Sequence, residues 1–178
     1  MGTGEATFRH LESWRRHRVG GHHGDSPGVL PLRVTGEAWV PGRATGLLLG
    51  GDLAAIRAMI GAGLPDLTGA ILLLTGERTL GLGQVDRQLT HLRRAGVLAS
   101  VAGVAVGRFT GFDGYADRGW TLTDVLKDQL GGLPVPVVAG LPLGPGCPAV
   151  PLGVEAVLDQ ATLTVTTSPS ANGSPVTT

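Results

Sequence analysis

The sequence predicts a single α/β domain built on a mainly parallel central sheet, with flanking helices and antiparallel strands added at the edges. Short apolar runs bounded or broken by glycine, LLL at 47–49, ILLL at 71–74 and VAGVAVGRF at 101–109, are too brief for helices and suit strands buried on both faces. Segments of helical period lie between them, the alternation that sets strands side by side in one direction. Two later runs, 154–158 and 163–167, are close enough to pair as a hairpin, and 178 residues suffice for one ordinary domain.

Residues 1–31 are the least globular part. Phe8, Leu11 and Trp14 share one face of a short predicted helix, after which Gly, His, Asp and Pro dominate. His10, His17, His22 and His23 lie here, but their spacing fits no usual zinc pattern and no cysteine is near. Solvated loop histidines are therefore the expectation, and no metal is assigned. The domain proper is expected over 32–167. LRVTGEAWV at 32–40 alternates as one strand, ended by Pro41-Gly42. After the strand at 47–49, Gly50-Gly51 frees the backbone, and Asp52 stands where it would cap a helix burying Leu53, Ile56, Met59 and Ile60. Glycines ahead of a helix can hold an anion. Here no Gly-Lys-Ser/Thr follows and the spaced dinucleotide glycines are missing, so tight packing is the simpler reading and no cofactor is predicted.

The chain is organised around 69–96, GAILLLTGERTLGLGQVDRQLTHLRRAG. Its loop, 75–84, leaves the carboxyl end of a core strand, where open α/β sheets place ligands. Val85, Leu89 and Leu92 then recur at helical spacing, and Gly96 is a natural residue just past a helix end. Beyond the strand at 101–109, the polar loop 110–119 with Asp113, Tyr115, Asp117 and Arg118 reads as a solvated connection. Thr121 with Asp124 imitates a capping box ahead of Leu122, Val125, Leu126 and Leu130, and Gly131-Gly132 stops that helix. Residues 136–139 make a third core strand. GLPLGPGCPAVPLG at 140–153 holds too much Gly and Pro for regular structure, Asp159-Gln160 marks the hairpin turn, and 168–178 has the composition of a disordered tail.

Composition excludes several function classes. Net charge is zero, which argues against nucleic acid and anionic membranes as partners. All 14 basic residues but Lys127 are arginine, read as coding bias rather than phosphate recognition. Cys147 is the sole cysteine, so there is no disulfide framework, and a reducing cytoplasmic setting is expected. No apolar signal region stands near the start and no run approaches the ~20 residues of a membrane span.

Five consecutive segments resemble a known family. PGRATGLLLGGDL (41–53), PDLTGAILLLTGE (65–77), VDRQLTHLRRAGVL (85–98), VAGVAVGRF (101–109) and GLPLG…VPLGVEAVL (140–158) are similar, in order and spacing, to the C-terminal domain of the LD-carboxypeptidases. These serine peptidases comprise the muramoyltetrapeptide carboxypeptidases and the microcin-C immunity peptidases. The likeness covers about 32–166 and implies a β/β/α swivelling-type domain, with murein peptides as the substrate class.

The resemblance also implies a Ser-His-Glu triad shared between two domains, the serine from an N-terminal domain on a Gly-x-Ser-Asp turn. A hydroxyl is a poor nucleophile until an imidazole takes its proton, and the carboxylate orients that imidazole. No serine of this chain stands in Gly-x-Ser-Asp, and the residues ahead of the matching region cannot hold the nucleophile domain. At the family's glutamate position stands Thr75, in LLLTGE, with Glu77 two residues on as the candidate replacement, on the same side if the chain stays extended. At the family's histidine position stands Pro145, and no histidine follows His91. The family's Gly-Gly-Asn is Gly50-Gly51-Asp52 here. The expectation is a domain of an LD-carboxypeptidase without triad activity of its own. The alternatives are a non-catalytic module that binds a peptide, a separate nucleophile domain or a second copy as a homodimer, and the product of a truncated or decayed gene.

Overall fold

The computed structural model describes residues 31–79 and 81–166. The readings for 1–30, with their four histidines, and for the tail at 168–178 lie outside the described residues. In chain order the elements are β1 (Leu32–Thr35), β2 (Glu37–Val40), β3 (Arg43–Asp52), α1 (Leu53–Met59), β4 (Ile71–Glu77), α2 (Leu82–Arg94), α3 (Val97–Ser100) and β5 (Gly103–Thr110). Then follow β6 (Ala116–Asp117), β7 (Trp120–Thr121), α4 (Leu122–Leu130), β8 (Val137–Ala139), β9 (Glu155–Asp159) and β10 (Thr162–Val165).

Eight strands join in the order β1-β10-β9-β3-β4-β5-β8-β2, and β6 and β7 form a separate small hairpin. The long strand β3 works in two layers. Its first half, from Arg43 to Leu47, pairs antiparallel with β9, and its second half, from Leu48 to Asp52, pairs parallel with β4. The sheet therefore turns over at β3, and the strands on either side of the turn face each other. Leu48, Ile71, Leu73, Ala105 and Val138 meet Ala156, Leu158, Leu163 and Val165 between those layers. On the opposite face of the parallel strands, Leu72, Leu74, Val104, Val106 and Val137 meet Leu53, Ile56, Leu89, Leu92, Leu126 and Leu130 from the helices. The strands are buried on both faces because a sheet covers one and helices the other, which is why 71–74 reads as a continuous apolar run. The architecture is thus β/β/α.

Two expectations are corrected. Of the seven pairings in the large sheet, β3–β4, β4–β5 and β5–β8 are parallel and the other four antiparallel, so the sheet is mixed with a parallel centre. The supposed single strand at 32–40 is two strands at opposite edges of the sheet order, β1 on β10 and β2 on β8, joined through Gly36. One chain segment thereby links the two layers at their free margins. A Cβ on Gly36 would lie 2.1 Å from the Ala139 carbonyl oxygen, so only glycine passes there. Alternation alone reads across this junction because its period continues through the glycine.

The local readings of the helices hold. Asp52 caps α1 by accepting the Ala55 N–H at 2.9 Å. Gly96, at φ 80°, follows α2, and the short helix α3 lies just ahead of the run read as strand at 101–109. Thr121 and Asp124 form a complete capping box on α4. Where α2 crosses α4, the Gln129 side-chain amide donates to Asp86 at 2.7 Å, and Arg93 donates to the Gln129 carbonyl.

Candidate functional site

The parallel strands β3, β4 and β5 run their carboxyl ends to one rim, so their last residues come together there. Asp52 pairs with Thr75, Gly76 with Phe109 and Glu77 with Thr110. Between Leu74↔Val106 and Gly76↔Phe109 the register slips, β5 spending three residues where β4 spends two. This bulge turns the end of β5 toward the segment that follows β8. Leu141 donates its N–H to Val106 at 3.1 Å and Arg108 donates to the Leu143 carbonyl at 2.7 Å. The Gly-Pro-rich stretch at 140–153 is thereby fixed to the rim despite its irregular backbone.

Thr75 is 5% exposed and sits between two glycines of that arrangement. A Cβ on Gly107 would come 3.0 Å from its Cγ2, and one on Gly144 would come 2.7 Å from it. Gly144 has φ 108°, a conformation that suits glycine, and its carbonyl accepts the Cys147 N–H at 3.0 Å, closing a turn over exposed Pro145. The structure therefore brings Thr75 and the 144–145 turn side by side at the mouth of the sheet, although 69 residues of sequence separate Thr75 from Gly144.

Glu77 has different surroundings. It is exposed and lines a cleft of about 30 Å³, enough for one or two waters, together with Asp52, Gln84, Gln88, Phe109 and Phe112. Thr75 is absent from that lining. β4 stays extended to Glu77, the candidate replacement for the family's glutamate, and Glu77 lines this helix-side cleft rather than the surroundings of Thr75. Among the described residues the Glu77 side chain has no hydrogen-bond or ion-pair partner. The Asp52 carboxylate on the opposite wall is already used as the α1 cap, placing a negative charge at that helix start and opposing an anion there.

Beyond Phe112, which lines the cleft, lies a stack that had no sequence signal. Arg78 donates its N–H to the Thr110 carbonyl at 2.9 Å, and its guanidinium lies 4.1 Å from the Tyr115 ring centre. Phe112 meets the same ring edge-on, with centroids 6.1 Å apart. This stack pins the first part of the loop 110–119, read from sequence as a solvated connection, against the end of β4.

The other groups that proton transfer would need lie elsewhere. His91 is exposed in the last turn of α2 and is not part of the cleft lining; the nearest lining residue of that helix is Gln88, about 4.5 Å of helical rise before it. Ser100 lies at the amino ends of β4 and β5, its hydroxyl donating to the Val97 carbonyl at 2.9 Å and its own carbonyl accepting from Gly69. Among the described residues no three His, Cys, Asp or Glu side chains gather as a metal site would require. No described helix is long and apolar enough to cross a membrane.

Comparison with known proteins bears on the same region. The family model for the LD-carboxypeptidase C-terminal domain matches residues 45–158. A "Putative carboxypeptidase" of Streptomyces coelicolor is 41% identical over 153 residues, 83% of this chain and 47% of that protein. Its namesake in Synechocystis is 38% identical over 150 residues, 82% of this chain and 48% of its own length. Among solved structures, the muramoyltetrapeptide carboxypeptidase of Oxalobacter formigenes superposes with a TM-score of 0.69 at 23% identity, covering 92% of this chain and 55% of that one. The chain spans about half the length of the relatives it matches.

Proposed function

The chain belongs to the family of the LD-carboxypeptidase C-terminal domain, and from that premise we propose that it is the scaffold half of a murein-peptide LD-carboxypeptidase, without triad catalysis of its own. One observation carries the reading. Thr75 and the Gly144–Pro145 turn meet at the mouth of the sheet, the two places where the family resemblance implies a glutamate and a histidine. The framework that would hold a carboxylate beside an imidazole is retained. Its two side chains are a hydroxyl and a pyrrolidine ring, neither of which takes up a proton near neutral pH.

Removing one member of an acting-together triad costs several orders of magnitude in rate, and the losses do not add. With neither imidazole nor carboxylate at those positions, a serine supplied by another domain would have no base beside it. Glu77 lines the neighbouring cleft and supports a role in holding the polar end of a peptide, not in orienting a histidine. The lone Cys147 supports a reducing compartment such as the cytoplasm. The test is release of D-alanine from a murein tetrapeptide by the purified protein. None is expected above the buffer rate, and release that disappears in Glu77→Ala would refute the reading.

A further inference from the structure

Residues 140–154, GLPLGPGCPAVPLGV, contain no charged side chain. Their far end is tied to β3, Gly153 donating to the Leu48 carbonyl and Leu48 donating to the Val154 carbonyl, both at 2.8 Å. Pro148, Ala149 and Pro151 are exposed and Val150 and Leu152 half-buried. Next to them stands Leu47, 42% exposed, one of two large apolar side chains this open among the described residues. Together they make an uncharged apolar surface that no described element covers.

The strand register shows what chain lies nearest. Leu32 pairs with Val165, Val165 with Ala156 and Ala156 with Gly46, the neighbour of Leu47. Three strand spacings put Leu32 about 14 Å from this surface. Residues 1–30 therefore join the domain beside it. They include FRHLESWRRHR at 8–18, in which Phe8, Leu11 and Trp14 recur at helical spacing and four arginines outnumber one glutamate. Across the strand from Leu47 is exposed Glu155, which has no cationic partner among the described residues.

We propose that residues 8–18 dock on their own domain, Phe8, Leu11 and Trp14 against Leu47 and 148–152, with the arginines toward Glu155. The 13 residues between Arg18 and Leu32 reach about 40 Å when extended, well beyond the span required. The tether holds the segment at an effective concentration of about a millimolar, so a contact of three apolar side chains suffices. Catalysis plays no part in this contact, so its test is separate from that of D-alanine release.

Cys147, half-buried within the same stretch, is a built-in reporter. Its reaction with a neutral thiol reagent is measured in the full chain and in two full-length variants, Phe8→Asp/Leu11→Asp/Trp14→Asp and Leu47→Glu. Docking predicts reaction about threefold faster or more in both variants, with circular dichroism unchanged. Mild oxidation of dilute Trp14→Cys should join that residue to Cys147 within one chain. Equal thiol rates in all three proteins would overturn the proposal, as would disulfide-linked dimers in place of the internal bridge, which would give the surface to a second copy.

Discussion

Gly36 and Thr75 show how much single side chains decide here. At Gly36 the added methyl of Gly36→Ala would press on the Ala139 carbonyl oxygen at 2.1 Å. Backbone cannot step aside as a side chain can, so the substitution should cost about 2–3 kcal/mol or more, the upper part of the overpacking range. Urea unfolding measures it. Gly61→Ala is the control for strain without crowding, since nothing lies within 4 Å of a Cβ there although φ is +78°. Its loss should stay near 1 kcal/mol, and equal losses at the two positions would show that space is not what Gly36 supplies. Thr75 makes the matching point for chemistry. Its backbone place at the end of a core strand was readable from LLLTGE, but its burial between Gly107 and Gly144 was not, because both glycines come from remote segments.

At the scale of elements, helix α4 depends on its first turn. Asp124 accepts from the Thr121 hydroxyl at 2.6 Å and from the Thr121 N–H at 2.8 Å, and these bonds hold its carboxyl below the usual aspartate range. A folded-state pKa below the unfolded one contributes stability that is whole above the unfolded value and is lost as pH falls through the folded value. The contribution of this box should therefore be intact at neutral pH and fade below about pH 4. Asp124→Asn should flatten that part of the stability–pH curve, measured by urea titrations at several pH values. An unchanged acid limb would remove the carboxylate from the account.

Such local devices were legible because they are written within a few residues: Asp52 ahead of Leu53, Thr121 with Asp124, Gly96 after α2. The short apolar runs gave their strands for the same reason. The β1–β2 junction, the β5 bulge and the Arg78–Tyr115 stack were not legible. Each depends on a partner 30 or more residues away, and Gly36 continues an alternating pattern that looks like one strand.

For the whole molecule, the mixed sheet explains how a chain so rich in glycine stays ordered. Antiparallel β9, β10 and β1 lay a second layer on the parallel centre, and the stretch 32–40 reaches both margins. The site follows from that closure: the segment after β8 is carried to the rim, where the β5 bulge meets it. The candidate chemistry was partly legible, since the absence of imidazole and carboxylate at the family's positions is a matter of residue identity. The separate setting of Glu77 was not, because the cleft brings it together with Asp52, Gln84 and Phe112 from separate segments of the chain.

The pairing of β1 with β10 also has a meaning for synthesis. The partner of Leu32 is Val165, so on a chain emerging from the ribosome β1 finds its neighbour only after the rest of the domain has been made. Until then the inner face later covered by Ala156, Leu158, Leu163 and Val165 stands open to water. Nascent chains stalled before residue 155 should bind a hydrophobic dye and be cut readily by protease, and those stalled well past 165 should not. Folding that completes at the shorter length would mean that the second layer is ornament rather than a requirement.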